Sequence, residues 1–505
     1  VAIAKVLGIE TEYGIHTPGV DANPILASSY LVNSYAIALN QQIDWDFEDE
    51  SPDHDARGTT RPGSLAPIVE THLANTVLVN GARYYVDHAH PEYSSPECLD
   101  PRELLAQDLA GEEILRRSMA AAQRLFPEVT ASVVYKNNSD GKGNSYGCHE
   151  NYLMDRRVPF QNVAAGIIPH FLSRSLFTGA GKVGSETKRF KGDKVSFQIT
   201  QRAEFFEEVL GLETTIKRPL VNTRDEPHAD ADRYRRLHVI IGDANRSQMA
   251  TFLKVGTTAI VLCLIEDGIV SPDLFTFADP VETFHQISKD LTLNAPLTME
   301  NGKTVRALEI QWTLFELAQQ WAKTNGFSVL GDEAIWQEVL HHWYEVLSDL
   351  ESGPEAVADR VDWAAKYVLM DLFSARHNCG WDDPRLAAMD LQYHDLRPER
   401  SLFDRLPMRK LITNEEITNA IAQPPEDTRA WFRGRCLKRW PDSVVSANWD
   451  SLVLDVGGDP LRRIPMMDPL KGTKAQLTGI LEGCRTPLEV VEALSDGRPV
   501  QQGKR

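Results

Sequence analysis

The run from Asn80 to Glu97, Asn-Gly-Ala-Arg-Tyr-Tyr-Val-Asp-His-Ala-His-Pro-Glu-Tyr-Ser-Ser-Pro-Glu, leaves the surrounding chain few ways to fold. Asn80-Gly81 is a turn signal, and residues 82–86 have the aromatic and β-branched content of a strand. Strand side chains alternate, so Arg83, Tyr85 and Asp87 share one face and Ala82, Tyr84 and Val86 the other. A guanidinium, a phenol and a carboxylate in a row are costly to bury unless they bind each other, a ligand or a metal. Pro91 and Pro96 predict that the ladder stops just beyond. Asp87, His88, His90, Glu92 and Glu97 then fall where a sheet edge meets a cleft. A hydrogen-bonded strand terminus is the plainer alternative, and this stretch alone leaves it open.

Composition removes whole classes of function. A chain of 505 residues, 42% hydrophobic and 25% charged, can bury a large core. Its net charge of −19 argues against sequence-independent binding of nucleic acid, because phosphates must be neutralised by Lys and Arg. An acidic ligand held in a local basic pocket stays compatible. The six cysteines, Cys98, Cys148, Cys263, Cys379, Cys436 and Cys484, lie far apart with no Cys-x-x-Cys pair, which points to a reducing compartment rather than a zinc or redox motif. No uninterrupted apolar run is long enough to span a bilayer. The chain therefore reads as cytoplasmic, with neither nucleic acid nor membrane as partner.

Residues 4–15 form the first predicted strand, with Glu10 and Glu12 on one face about 7 Å apart. Two carboxylates that close raise each other's pKa unless a cation intervenes, and hard oxygen ligands suit Mg²⁺. A solvated edge strand is the alternative. A helix is predicted over 28–40, followed by 44–55, which holds seven acids and no Lys or Arg. Such a segment buries too little apolar surface to offset its ordering entropy, so residues 41–79 are expected to be a mobile acidic insertion. After Glu97, Asp100 as N-cap, Pro101 and Glu103 mark a helix start. Residues 131–136 and 145–153 are predicted as a hairpin, with His149 and Asn151 sharing a face.

Arg202, Arg218, Arg224 and Arg236 are gathered in one region of an acidic chain, and guanidinium groups suit phosphate or carboxylate ligands. Structural pairing with nearby acids is the alternative. From Thr251 the pattern turns helical, with helices predicted over 307–325, 333–352 and 354–372. Pro424-Pro425 suggests a boundary between a catalytic domain, residues 1–424, and a small C-terminal domain, residues 425–505. In the latter, residues 444–454, Trp449 included, look like one strand.

Four segments, Gly8-Ile9-Glu10-Thr11-Glu12-Tyr13-Gly14, the 80–97 stretch, Asn144-Ser145-Tyr146-Gly147-Cys148-His149-Glu150-Asn151, and 222–228 with 235–245, together resemble the Pup ligase and depupylase family. The likeness covers nearly the whole chain. The spacing Asp-His-Ala-His-Pro-Glu and the long acidic insertion resemble its deamidase and depupylase branch more than its ligases. The resemblance implies an α+β fold of the glutamine synthetase-like type: a curved antiparallel sheet cradle packed on helices, with a small C-terminal domain. It implies ATP and Mg²⁺ as cofactors. Glu10 and Glu92 fall on metal positions with Tyr85 beside them, and Glu12 and His149 are further candidates. Arg83, Ser95 and Trp449 fall on nucleotide positions, and Asp87 on the catalytic aspartate. Arg202 and Arg224 are assigned to phosphate from charge and placement. The implied partners are Pup, a small acidic protein modifier, and pupylated proteins, for which Lys188, Arg189, Lys191 and Lys194 offer local positive charge. The implied activity is deamidation of Pup's C-terminal Gln and cleavage of the Pup-lysine isopeptide bond; the alternative is an ATP-consuming Pup ligase.

Overall fold

Six strands form one wholly antiparallel sheet: β1 (Leu7–Glu12), β2 (Asn75–Val77), β3 (Arg83–Asp87), β4 (His90–Ser94), β5 (Cys148–Asp155) and β6 (Tyr234–Val239), in the order β6-β5-β1-β4-β3-β2. They come from a computed structural model that describes residues 1–18, 23–40, 43–48, 50–58, 73–127, 132–186, 195–458 and 460–495. Paired residues in such a sheet point to the same face. The register therefore lines up Tyr85, Glu92 and Glu12 in one row, Arg83, Ser94, Glu10 and His149 in the next, and Gly8, Asn151 and His238 in a third. The opposite face presents Ile9, Tyr84, Val86, Tyr93, Tyr152 and Leu237, all buried.

Helices cover that apolar face. Among them are α1 (Pro24–Leu39), α2 (Pro101–Leu125), α3 (Phe160–Ser173), α4 (Gln248–Glu266), α5 (Ala307–Asn325) and α6 (Glu333–Leu350). Helix α2 starts as its sequence dictates: Asp100 Oδ1 accepts from the backbone N–H of Arg102 (2.9 Å) and Glu103 (2.8 Å). Helix α4 is the one described helix with the length and apolarity of a membrane span, and every one of its residues is buried in the core. Lys254 interrupts its apolar run and donates to the Asp243 carbonyl at 2.9 Å.

A smaller layer follows. Arg462–Pro465, Ser451–Leu454 and Val444–Ala447 form a sheet whose last strand is Asp44–Trp45, from the acidic segment near the other end of the chain. Its core joins Ile43, Trp45 and Val77 to Trp431, Phe432, Leu452 and Leu481. Described parts of the 41–79 segment are thus built into two sheets, and Ala56 N–H donates to Thr223 O at 2.8 Å. Residues 59–72, on which much of the expected mobility falls, lie outside the described residues.

Four local expectations change. Val133–Tyr135 pairs with Gly14–His16, and β5 pairs with β1 and β6, so the predicted hairpin does not form. The connection between them closes on itself, Tyr146 N–H donating to Asn138 O at 3.2 Å and Tyr146 Oη to Asn137 Oδ1 at 2.6 Å. β5, polar on one face and apolar on the other, gains more between two partners. Pro91 does not end a ladder: it lies inside β4 opposite Val86, and its carbonyl accepts from Tyr13 N–H at 3.0 Å. Residues 444–454 are two strands, turned where Asn448 Oδ1 takes the N–H groups of Asp450 (3.0 Å) and Ser451 (2.6 Å). The 354–372 helix splits into a 3₁₀ turn, Pro354–Val357, and Asp362–His377.

Candidate active site

Asp87 ends β3 at a two-residue turn, where His88 adopts φ 51° and leads straight back into β4 at His90. A tight turn there returns Glu92 beside Tyr85 and brings Asp87 over the end of β1. Ligand oxygens of Glu12, Asp87 and Glu92 all lie within 4.8 Å of one another. Tyr85 Oη donates to Glu92 Oε1 at 2.6 Å, Gly147 N–H donates to Glu12 Oε1 at 2.9 Å, and His88 Nδ1 is 2.9 Å from Asp87 Oδ2. Among the described residues no Lys or Arg is within ion-pair distance of the three. Burial, followed by the charges of Asp87, Glu12 and Glu10, pushes the Glu92 carboxyl well above its usual range. Burial acts the same way on Glu12, but His90, His149 and the Gly147 N–H outweigh it and bring it to about 2. Three hard oxygen donors with only histidines, and no Lys or Arg among the described residues, to offset their charge are a fitting set for Mg²⁺.

Two residues back along β1, a second group forms from Glu10, His149 and His238, again with donor atoms within 4.8 Å. Asn151 Nδ2 donates to Glu10 Oε1 at 2.8 Å, while its Oδ1 accepts from Arg236 Nη1 at 2.7 Å. Burial resists ionisation of Glu10, but the His149 hydrogen bond with His238 and Arg236 reverses the sign and holds it well below the usual range. Burial and then the Arg236 charge keep His238 well below its own. His238 and Arg236 were legible as alternating residues of β6, yet only the sheet order brings them to Glu10.

Beyond Glu10 the cradle opens into a cleft of about 580 Å³, mouth included, lined by Gly8, Ser95, Glu97, His228, Arg429 and Trp449 among others. Ser95 Oγ accepts from Ile9 N–H at 3.0 Å. Arg83 is stacked between Tyr85 (3.9 Å to the ring centroid) and Trp45 (4.1 Å), and Trp45 meets Trp449 edge-on at 5.1 Å. Sequence reasoning placed Glu97 at a cleft edge but missed His228 and Arg429 as parts of this wall, and Trp45 as the ring beside Arg83. These three come from separate stretches with no common motif.

The two arginines assigned to phosphate sit differently. Arg202 is buried, with Nε on Ser145 Oγ (3.2 Å) and Nη1 on the carbonyls of Ile240 and Gly242 (3.3 Å to the latter). Arg224 is half-buried beside Glu226, Arg236 and His238, and its Nε has no hydrogen-bond partner. Lys188, Arg189, Lys191 and Lys194 lie outside the described residues.

An antiparallel sheet that carries carboxylates on its open face beside an open cleft, with helices behind, defines the glutamine synthetase-like carboxylate-amine ligase class. Residues 5–453 match the Pup-ligase protein family, and the chain belongs to it. A depupylase of Acidothermus cellulolyticus is 44% identical over 98% of this chain and 100% of its own length. A Pup deamidase/depupylase of Mycolicibacterium smegmatis is 44% identical over 97% and 100%. A Pup–protein ligase of Bifidobacterium longum is 38% identical over 92% and 91%. Among solved structures, the ligase PafA in complex with Pup matches with a TM-score of 0.79 at 30% identity, covering 99% of both chains. PafA in complex with ADP matches at 0.73 and 35% identity, covering 83% of this chain and 91% of that one.

Proposed function

We propose that the chain is a Pup deamidase and depupylase: it hydrolyses the side-chain carboxamide of Pup's C-terminal Gln and the isopeptide bond joining Pup's C-terminal Glu to a lysine. Both reactions break the C–N bond of the same γ-amide and leave the same glutamate. The observation that carries the reading is Asp87, a half-buried carboxylate with an oxygen within 4.8 Å of those of two more acids, in a chain 44% identical over nearly its full length to depupylases and less so to ligases.

In this reading Asp87 is the catalytic group. Its carboxylate either attacks the amide carbon, breaking the C–N bond with the nitrogen leaving protonated as ammonia or the lysine amine and giving an anhydride that water opens, or takes the proton from the attacking water. Tyr85 holds Glu92 in place through the 2.6 Å hydrogen bond, and the Gly147 N–H does the same for Glu12. Glu10, Glu12 and Glu92, with Tyr85 and His149 beside them, would hold Mg²⁺. Mg²⁺ held there would supply the positive charge that offsets the acids and stabilises a developing oxyanion. Arg83, Ser95 and Trp449 would hold the nucleotide, and Arg224, with an unpartnered Nε, is better disposed than Arg202 to meet a phosphate. Residues 1–424 would form the catalytic domain and 425–505 a small layer that closes the cleft. The six unpaired thiols fit a cytoplasmic setting.

Intact-mass spectrometry of Pup ending in Gln, incubated with the protein and Mg-ATP while ADP is followed, tests the proposal. Conversion to Glu over many turnovers without matching ADP is the expected result. Unchanged Pup, or ADP rising one for one with a Pup conjugate, would overturn it. Label found in the Asp87 carboxylate after a single turnover in H₂¹⁸O would establish direct attack, with water opening the anhydride at the aspartyl carbon, since general-base catalysis puts label only in the product glutamate.

A further inference from the structure

Glu97 follows β4 and faces the cleft, and two guanidinium groups converge on its carboxylate from the opposite end of the chain. Arg429 Nε lies 2.7 Å from Oε1, while Arg433 Nη1 lies 3.3 Å from Oε1 and Nη2 bonds Oε2. Both arginines are buried, and each is tied to more than the acid. Arg429 Nη1 donates to the carbonyls of His228 (2.6 Å) and Met466 (2.7 Å). Arg433 donates to Gly81 O at 2.9 Å and Trp449 O at 3.1 Å, and its guanidinium lies 5.1 Å from the Trp449 ring centroid. One carboxylate thus joins the turn before β3, the exit of β4, the 228 and 466 segments and the 448–450 turn.

That junction is also a wall. Glu97, His228, Arg429 and Trp449 all line the cleft. Trp449 belongs to a turn between two short strands, has no place in the main sheet, and is half-buried. What holds its ring against the cleft is Arg433 on one side and Trp45 on the other. A wall built on a separate layer contributes to a ligand only while that layer is docked, so ligand binding and docking must favour each other equally.

We propose that Glu97 and Arg433 are positioning residues for Trp449, and that nucleotide binding is thermodynamically linked to docking of the 444–454 hairpin on the main sheet. This deepens the nucleotide reading above and rests on it. The clamp acts on binding, with no part in breaking the amide bond.

The test uses the full chain with Mg-ADP. Calorimetry gives the ADP dissociation constant, and amide hydrogen exchange is followed in the 444–454 hairpin, with helix α6, which contributes nothing to the cleft, as the internal control. In wild type, ADP should slow exchange in the hairpin and leave α6 unchanged. Arg433→Lys keeps charge and stem but loses the fork; it should weaken ADP by about tenfold, a typical coupling, and erase the ADP-dependent slowing. Glu97→Gln should do the same more strongly; should it fail to fold, Arg433→Lys decides alone. The split between KM for nucleotide and kcat should fall on KM. An Arg433→Lys protein that binds ADP within about twofold of wild type, or a wild-type hairpin whose exchange ADP does not alter, overturns the linkage alone. A wild type that binds no ADP at all overturns the nucleotide reading and the linkage with it.

Discussion

Two close groups of acids, one on helix α2 and one on the open face of the sheet, differ in the cations that accompany them. On α2, Asp108 and Glu112 are buried with Lys136, whose Nζ is 2.6 Å from Asp108 Oδ2 and 3.0 Å from Glu112 Oε1; Arg116 (3.2 Å) and Arg246 (3.8 Å) complete the set. Burial would raise the Glu112 carboxyl, but Arg246, Lys136 and Arg116 bring it down to about 2. Across the sheet, Glu12, Asp87 and Glu92 lie within 4.8 Å of one another with no Lys or Arg among the described residues in contact, and Glu92 is pushed the opposite way. The first group is a finished structural network, whereas the second is the one proposed above to take a cation from outside. The same residue type is therefore scaffold or site according to what was placed beside it.

Removing the reacting carboxylate is the sharpest break. Asp87→Asn should cut amide cleavage by roughly 10³-fold or more with Pup binding and thermal stability nearly unchanged. Steady-state deamidation alongside a melting curve reads both, and turnover within about tenfold of wild type would end the catalytic assignment. The mirror image is Lys136→Met, which leaves Asp108 and Glu112 buried without their ammonium. Stability should fall by about 3–5 kcal/mol in denaturant unfolding, whereas cleavage per folded molecule should hold.

Next in size is the cation itself. Wild-type protein should gain several degrees in Tm from Mg-ADP, and Glu92→Gln should lose most of that gain. Without ligand, Glu92→Gln should melt no lower than wild type, since one of three mutually repelling carboxylates is gone. A variant that kept the full Mg-ADP increment would remove Glu92 from the metal set. pH separates the two groups further. The Glu112 carboxyl sits near 2 in the folded chain against the usual 4.5, so its contribution is present above about pH 4.5 and is lost as pH falls toward about 2. Glu112→Gln should flatten that limb of the stability curve. Smallest is Trp45→Leu, which removes one face of the Arg83 stack; a loss of about 0.5–1 kcal/mol, or two- to fivefold in ADP affinity, is expected by calorimetry.

Much of the site was legible because strand alternation is a local rule. It put Arg83, Tyr85 and Asp87 on one face and Glu10 with Glu12 on another, and both faces meet in the cradle. The start of α2 was equally plain, since an N-cap is a matter of three neighbouring residues. The turn at His88 was obscured by Pro91, whose missing N–H is harmless at that position in β4. Strand 133–135 was matched to its neighbour in sequence, and the better partner for each strand lay further away.

The amino-acid sequence alone determined the family, the α+β class and the acids of the cradle, because motif and side-chain period are written within a few residues. Only the tertiary structure decided that β5 and β6 bring His149, His238 and Arg236 to Glu10, that Trp45 of the acidic segment stacks under Arg83, and that Arg433 reaches Glu97 across 336 positions. Those contacts carry no local signature. They exist because burying two arginines is favourable only where a carboxylate and backbone carbonyls already wait to receive them.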